Sequence, residues 1–411
     1  MGNLLKIAFR NLYRQKRRSL LTIAIISVGV IAVLLFSALS DAFKNMMIGQ
    51  ITDSMLGHLQ IHRKGYVSSL DNLPLDKTIN AKQIKKIGQI LDNIPQVEAY
   101  SKRILMGGML SNYMETTNIK VAGINPKDEA VVTPLLTSRI KKGAMLKKGE
   151  ILLPELVTKG MGLKVGQSIV LIVNNADGSV NGQNLKIAGI VESVVGPTGK
   201  YGYVHIDDAR TVLRMDKPEF SEIAVRLNKI GSLEKVISQI ALETADMKNK
   251  EGKPVIEVHS WKKLSPFYNI AKMIDLMSLF INVLLVAIVL ISILNVMIMA
   301  VYERIKEIGT LMAIGTLPGK IRTMFLLEGF LLGFLGSISG SLVGIILIVA
   351  VKFAHITIAF GRNENILIDP SIPYNQMALI TIISTLVAII ASLQPAIKAS
   401  HMDPIDALRH S

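Results

Sequence analysis

Tyr302–Gly319 reads YERIKEIGTLMAIGTLPG, and it separates two long apolar runs, Met273–Ala300 and Met324–Val351. Two further runs, Leu20–Leu39 and Met377–Leu393, complete the set. About 20 apolar residues cross the roughly 30 Å of bilayer hydrocarbon, so each run is long enough to span. Polar residues within them, such as Asn282, Asn295 and Glu328, are scattered. A polar break as short as Tyr302–Gly319 has room for one helix and a turn. Ile305, Ile308, Leu311 and Met312 form an apolar stripe, while Glu303, Arg304, Lys306 and Glu307 occupy the remaining surface. Gly315 is a natural helix stop, and Leu317-Pro318-Gly319 turns the chain. Two readings stay open on pattern alone: a connecting hairpin whose stripe lies on the membrane, or an element that receives a push from a cytosolic partner.

The remainder of the composition agrees with a membrane protein. Of 411 residues 50% are hydrophobic, and the mean hydropathy is +0.42. Such a chain is too apolar for an ordinary soluble protein and fits spans plus a large watery domain. The net charge of +15 would suit a nucleic-acid binder, but its distribution points elsewhere. Lys6, Arg10, Arg14, Lys16, Arg17 and Arg18 precede the first run with no acidic residue among them. By the positive-inside rule the N-terminus faces the cytoplasm. Four crossings return the C-terminus to the same side, and Arg304, Lys306, Lys320 and Arg322 mark the intervening loop as cytoplasmic. Asp41–Ala271 then lies outside. Ala38-Leu39-Ser40 resembles a signal cleavage site, but the apolar run before it exceeds the roughly 7–15 residues of a signal core. The absence of cysteine excludes disulfides, thiolate metal sites and thiol catalysis.

Residues 3–18 place Leu4, Leu5, Ala8 and Leu12 on one side of a helix and basic residues on the other, as in a helix on the inner leaflet. Phe43, Met46, Met47, Ile51 and Met55 continue the helical period beyond the first span. From Tyr268 to Tyr302 no proline or glycine interrupts the second. Both spans therefore extend outward as stalks. In the outer domain, strands are expected at His58–Arg63, Glu98–Leu105, Met109–Tyr113, Ile119–Ile124, Ile223–Leu227 and Val255–His259. Helices are expected at Ala81–Leu91, capped by Asn80, and at Leu233–Leu242. The two ends of the domain pair into one α+β module. The middle, with strands Ile151–Leu153, Ser168–Val173, Leu185–Val191 and Tyr203–Ile206, reads as an inserted β-rich subdomain. The fold class is thus an α+β membrane protein: four transmembrane helices with a large α/β extracytoplasmic domain between helices 1 and 2. The segments are 1–18, interfacial helix; 19–55, span and stalk; 56–265, outer domain with its insertion at about 125–220; 266–302, stalk and span; 303–320, cytoplasmic helix and turn; 321–352, span; 353–375, outer loop; 376–394, span; and 395–411, cytoplasmic tail.

Sites for chemistry are sparse. Gly196-Pro-Thr-Gly-Lys200 lacks the spacing of a phosphate loop and reads as a turn. His58 and His62 suit a metal only on a helix; on a strand they read as a solvated face. Lys272, Asp275 and Glu328 are candidates for an ion path, but each is near an interface and is expected to be solvated. Asn282 and Asn295 read as hydrogen-bonding groups between helices. Gly329, Gly333, Gly336, Gly340 and Gly344 line one face of the third span, for packing inside the chain or for dimerisation.

Three stretches, in order, carry a resemblance. Ala8-Phe-Arg-Asn-Leu-Tyr-Arg-Gln-Lys-Arg-Arg18 with Leu20-Leu-Thr22, Arg304 to Gly315 with Phe325-Leu-Leu-Glu328-Gly329, and Pro395-Ala396 with Asp403-Pro404-Ile-Asp-Ala-Leu408-Arg409 resemble the FtsX/MacB-type ABC permease family. Thr316 and Gly329 depart mildly, each standing where alanine is usual. Gly149–Val157 with Gly162–Gly166 is similar to the family's periplasmic core. The resemblance implies a permease that is not itself an enzyme and holds no cofactor in this chain, with ATP and Mg2+ on a separate cytoplasmic ABC ATPase dimer. Glu303, Arg304, Lys306, Glu307, Ile308, Gly309, Leu311, Met312 and Gly315 would belong to the coupling helix that docks on that ATPase. A second permease copy or a related permease would complete the dimer, in the bacterial inner membrane. ATP-driven movement of the stalks would reshape the outer domain (mechanotransmission). Chain length, four spans and Gly57–Tyr66 are most similar to the LolC/LolE-like lipoprotein-releasing branch. That similarity implies a lipoprotein or other amphiphilic cargo, contact with membrane lipids and a periplasmic chaperone or adaptor, with no nucleic acid. Two alternatives stay open: efflux of a peptide, antibiotic or siderophore with an adaptor, and FtsX-like signalling to a wall hydrolase.

Overall fold

The computed structural model describes residues 2–175, 177–193, 200–360, 363–372 and 374–403. The expected turn at 196–199 and the tail motif from 404 onward lie outside them. The chain divides into two compact units, Met1–Asn45 with Lys272–Ser411, and Met46–Ala271.

Four helices are long and apolar enough to cross a membrane: Lys16–Leu56, Phe267–Glu303, Pro318–Phe353 and Tyr374–Ser400, spans one to four below. At 1.5 Å per residue the second reaches about 55 Å, well beyond the hydrocarbon. The helix before them, Gly2–Arg14, uses Ala8 and Leu12 differently from expectation. Both side chains are buried, and Leu12 joins a core with Ile26, Met297, Ile308 and Phe325. Phe9 and Tyr13 remain exposed on this helix. The glycine face of span three is used within the chain. A Cβ on Gly336 would stand 2.7 Å from Ile26 Cβ, and one on Gly340 2.8 Å from Val30 Cβ, both in span one. Gly344 approaches Leu34 of the same span, whereas Gly329 and Gly333 approach Ser392 and Ala388 of span four. Side chains at these positions would force the helices apart.

Two features of this unit were not anticipated. Span four does not stop before Pro395 but continues as helix to Ser400. Proline there forfeits one hydrogen bond, a local cost of about 3 kcal/mol. Burial of Pro395, Ala396 and Ala399 offsets it. Between spans three and four, Thr357–Phe360 and Asn363–Leu367 pair as an antiparallel hairpin.

The outer unit contains β1 (Leu59–Arg63), β2 (Val97–Ser111), β3 (Thr116–Ile124), β4 (Ile140–Gly143), β5 (Glu150–Pro154), β6 (Ser168–Asn174), β7 (Val180–Val191), β8 (Tyr201–His205), β9 (Glu222–Leu227) and β10 (Ile256–Ser260). The order β10-β1-β9-β2, with helices Ala81–Asp92 and Leu233–Glu243 after β1 and β9, is a split β-α-β arrangement built from both ends of the domain. The first of those helices begins with a capping box: Asn80 accepts from Gln83 N at 3.0 Å, and Gln83 accepts from Asn80 N at 3.1 Å.

Two separate strands were expected between Glu98 and Tyr113; there is one, β2. Its first half pairs with β9, and its second half with β3 and β6. The pairings β2-β3-β8-β5-β7-β6-β2 close a ring, so the middle of the domain is a small barrel that shares β2 with the outer module. Gly108 makes the closure possible. A Cβ there would meet Ile172 O of β6 at 2.5 Å. Alternate residues of the ring, among them Leu110, Val121, Leu153, Leu171 and Ile187, fill one core.

Candidate functional site

The polar segment between spans two and three is built by one backbone break and one glycine. Arg304 leaves the helical region at φ −111°, ψ 16°, and ends span two. A short bridge helix, Ile305–Ala313, follows. It stops at Gly315, whose φ of +90° disfavours any residue with a side chain. Gly315 N and Thr316 N close the end onto Met312 O and Leu311 O at 2.9 and 3.0 Å. Pro318 then opens span three at a position where its missing N–H costs nothing.

The bridge helix has two faces. Ile305, Ile308 and Gly309 are buried, and Met312 packs against the same core as Val301, Ile321 and Phe325. Leu311, expected in that stripe, lies on the other face and is 37% exposed. Just beyond it, Ile314 is 77% and Leu317 63% exposed. Glu303, Lys306, Glu307 and Gly315 are exposed as well, so an apolar tip with a charged border faces away from the bundle.

Charges fix the bridge helix to its surroundings. Arg304 Nε donates to Glu307 at 3.1 Å and Arg304 Nη1 donates to Glu328 at 3.2 Å. Arg18, at the start of span one, donates to Glu303 at 3.1 Å and stands 3.8 Å from the other oxygen of Glu328. Arg14 approaches Glu307 at 3.4 Å. The solvated setting expected for Glu328 is wrong: it is 2% exposed, because its partners come from segments distant in sequence. At the opposite end of this unit Lys44 bridges Asp41 and Asp275 at 3.2 and 2.7 Å, and Asn282 donates to Ser37 at 3.1 Å. Lys272 and Asn295 are exposed.

A second polar cluster lies in the outer domain, where sequence reasoning placed nothing. His58, Gln60 and His62, read as a solvated strand face, are all buried. The helix Pro126–Val132, from the inserted segment, brings Glu129 against β2. Arg103 in β2 donates to Glu129 through Nη2 at 2.6 Å and Nε at 3.0 Å, and to Glu222 through Nη1 at 2.9 Å. Glu222 also contacts His62 at 3.3 Å, and Tyr66 stacks on His62 with centroids 5.2 Å apart. Burial works against the Glu222 carboxylate, but His62 and Arg103 outweigh it and hold its carboxyl below the usual range. Burial first, then Arg226, holds the His58 imidazole below its ordinary value. Among the described residues no group of His, Asp and Glu is arranged to hold a metal ion.

Four spans, a two-lobed outer domain and an inner bridge segment define a membrane permease subunit. Residues 19–242 match the MacB-like periplasmic core domain, and residues 279–404 match the FtsX-like permease C-terminal family. The chain belongs to the FtsX/MacB-type ABC-transporter permease family. It is a multi-pass inner-membrane protein with its large domain on the periplasmic side, and both matches are to permease parts rather than to an ATPase subunit. Membership implies a partner ABC ATPase.

Among curated relatives, the lipoprotein-releasing system transmembrane protein LolC of Neisseria meningitidis serogroup B is 24% identical, over 98% of this chain and 98% of its own. The macrolide export ATP-binding/permease protein MacB 1 of Aeromonas hydrophila is 32% identical over 29% of this chain and 17% of its own. Among solved structures, the extracellular domain of the transporter YknZ from Gram-positive bacteria overlaps at TM-score 0.35 and 14% identity, covering 50% of this chain and 99% of that one.

Proposed function

We propose that this chain is the permease of an ATP-driven transporter that extracts lipoproteins from the inner membrane and passes them toward the outer membrane by mechanotransmission. One observation carries the reading: the likeness to LolC runs end to end, over 98% of both chains. ATP and Mg2+ bind the partner ATPase. The exposed tip of Leu311, Ile314 and Leu317, bordered by Lys306 and Glu307, is the part that seats in that ATPase, as an apolar anchor within a polar rim. Arg304, Ile308 and Gly309, buried in the bundle, hold the tip in place rather than touch the partner. The work is lifting acyl chains out of the bilayer. Each buried CH2 is worth about 0.8 kcal/mol, so several chains need an external energy source. A second permease, copy or relative, completes the complex, and a periplasmic chaperone or adaptor receives the cargo.

A second reading, efflux of a peptide, antibiotic or siderophore with an adaptor, draws support from the higher identity of the shorter MacB matches, 32% for the Aeromonas hydrophila protein. Purification of the full chain in mild detergent separates the two. Co-purification of an ABC ATPase with triacylated proteins is the expected result; an ATPase with an adaptor and no lipidated protein favours efflux. Capture of no ATPase removes both.

A further inference from the structure

Among the described residues, Glu328 is the one carboxylate of the inner-face network that is removed from water, 2% exposed against 46–47% for Glu303 and Glu307. Its two oxygens face two different guanidiniums. Oε2 accepts from Arg304, which begins the bridge helix, and Oε1 stands 3.8 Å from Arg18, which begins span one. The two arginines carry like charge and share this counter-ion. The other acceptors, Glu303 for Arg18 and Glu307 for Arg304, are half exposed, so solvent and salt weaken them. A buried carboxylate tolerates loss of a partner poorly. If the bridge helix moves with Arg304, Glu328 keeps both of its cations only when Arg18 moves too. Phe325 supports this placement, its ring 6.0 Å from the Arg304 guanidinium.

We propose that Glu328 is a positioning residue: the shared counter-ion through which displacement of the bridge helix is passed to span one. The proposal rests on the reading that the bridge segment receives the ATPase, and it adds where the motion goes next. It also replaces the ion-path role considered for this carboxylate.

The test uses the full chain bound to the ATPase that co-purifies with it, in phospholipid nanodiscs. The chain has no cysteine, so introduced cysteines are labelled selectively before assembly. One spin pair joins Leu20→Cys to Ile397→Cys and follows span one; another joins Ile314→Cys to Ile397→Cys and follows the bridge helix. All three positions are exposed, at 68%, 40% and 77% in the order Leu20, Ile397, Ile314. Distances are compared without nucleotide and with ATP trapped by vanadate. In the otherwise unaltered chain both distances shift. In Glu328→Gln the bridge-helix shift persists, while the span-one shift falls to less than half. Glu328→Asp restores most of it. Arg18→Gln, which leaves the Arg304–Glu328 contact intact, guards against a folding defect in the first variant and gives the same loss. A full span-one shift in Glu328→Gln overturns the proposal. So does loss of both shifts with the ATPase still bound, since Glu328 would then merely hold the bundle together. Failure of the unaltered chain to capture any ATPase sinks the functional reading instead, and the inference with it.

Discussion

Two arginines, Arg103 and Arg304, each bridge two glutamates, yet their surroundings differ. Around Arg103 everything is sealed: Glu129 is 1% and Glu222 3% exposed, and Ser101 and His62 complete the cluster. Around Arg304 one glutamate is sealed and the other is half in water. Both partners of Arg103 belong to the outer domain, Glu129 from the inserted segment and Glu222 from β9, while those of Arg304 come from the bridge helix itself and from span three. A fully sealed network fixes one arrangement. A half-open one fixes geometry while leaving a side that can exchange partners. The outer cluster has the geometry of a rivet, and the inner one that of a hinge pin.

The largest effect should come from breaking the sealed cluster. Arg103→Ala strands two buried carboxylates and is expected to cost the outer domain about 3–5 kcal/mol. Trp261, the chain's single tryptophan and 3% exposed, reports that unfolding by fluorescence. A loss under 1 kcal/mol would erase the contrast. Arg304→Ala should cost less, about 1–3 kcal/mol, because Arg18 still faces Glu328 and Glu307 returns to water. Helix content of the full chain in detergent during thermal unfolding measures it.

Acid sharpens the same comparison. His58 and His259 are held below the ordinary imidazole value by burial first, then by Arg226 and Lys263 respectively, and Glu222 below the ordinary carboxylate value. In each case the unfolded chain takes up protons before the folded one does. Their stabilisation is therefore complete above the unfolded values and is lost as pH falls. The Trp261 midpoint should decline from about pH 6.5 downward and more steeply below about 4.3. A flat midpoint from pH 7 to about pH 3 contradicts the depressed values of His58, His259 and Glu222. The smallest stability effect belongs to Glu307→Lys, within about 1 kcal/mol because Glu307 itself is half exposed and solvent weakens both of its pairs. Its transport should nevertheless fall sharply at unchanged Trp261 midpoint, and normal transport would show that the exposed border of the bridge helix is not a contact.

Most of the architecture was legible because it rests on local signals. The four spans and the Asn80 cap follow from neighbouring residues. What escaped depended on partners distant in sequence. His58, Gln60 and His62 alternate with Leu59 and Ile61 as a half-exposed strand should, but β1 lies between β9 and β10, and Leu227 N, Leu56 O and Glu222 supply their buried partners. Glu328 was misread for the same reason, since Arg18 and Arg304 approach it from elsewhere in the chain. On the bridge helix the periodicity was sound for Ile305, Ile308 and Met312. It failed for Leu311, because nothing local says which edge of a broad apolar stripe packs.

The closed circuit of strands in the outer domain has one further consequence. An open sheet offers its last strand as a template on which unrelated chains can polymerise. The ring has no last strand; the edge in this lobe is the four-residue β4, which hangs from β7 outside the ring. Within the ring itself, fibrils therefore find no place to start.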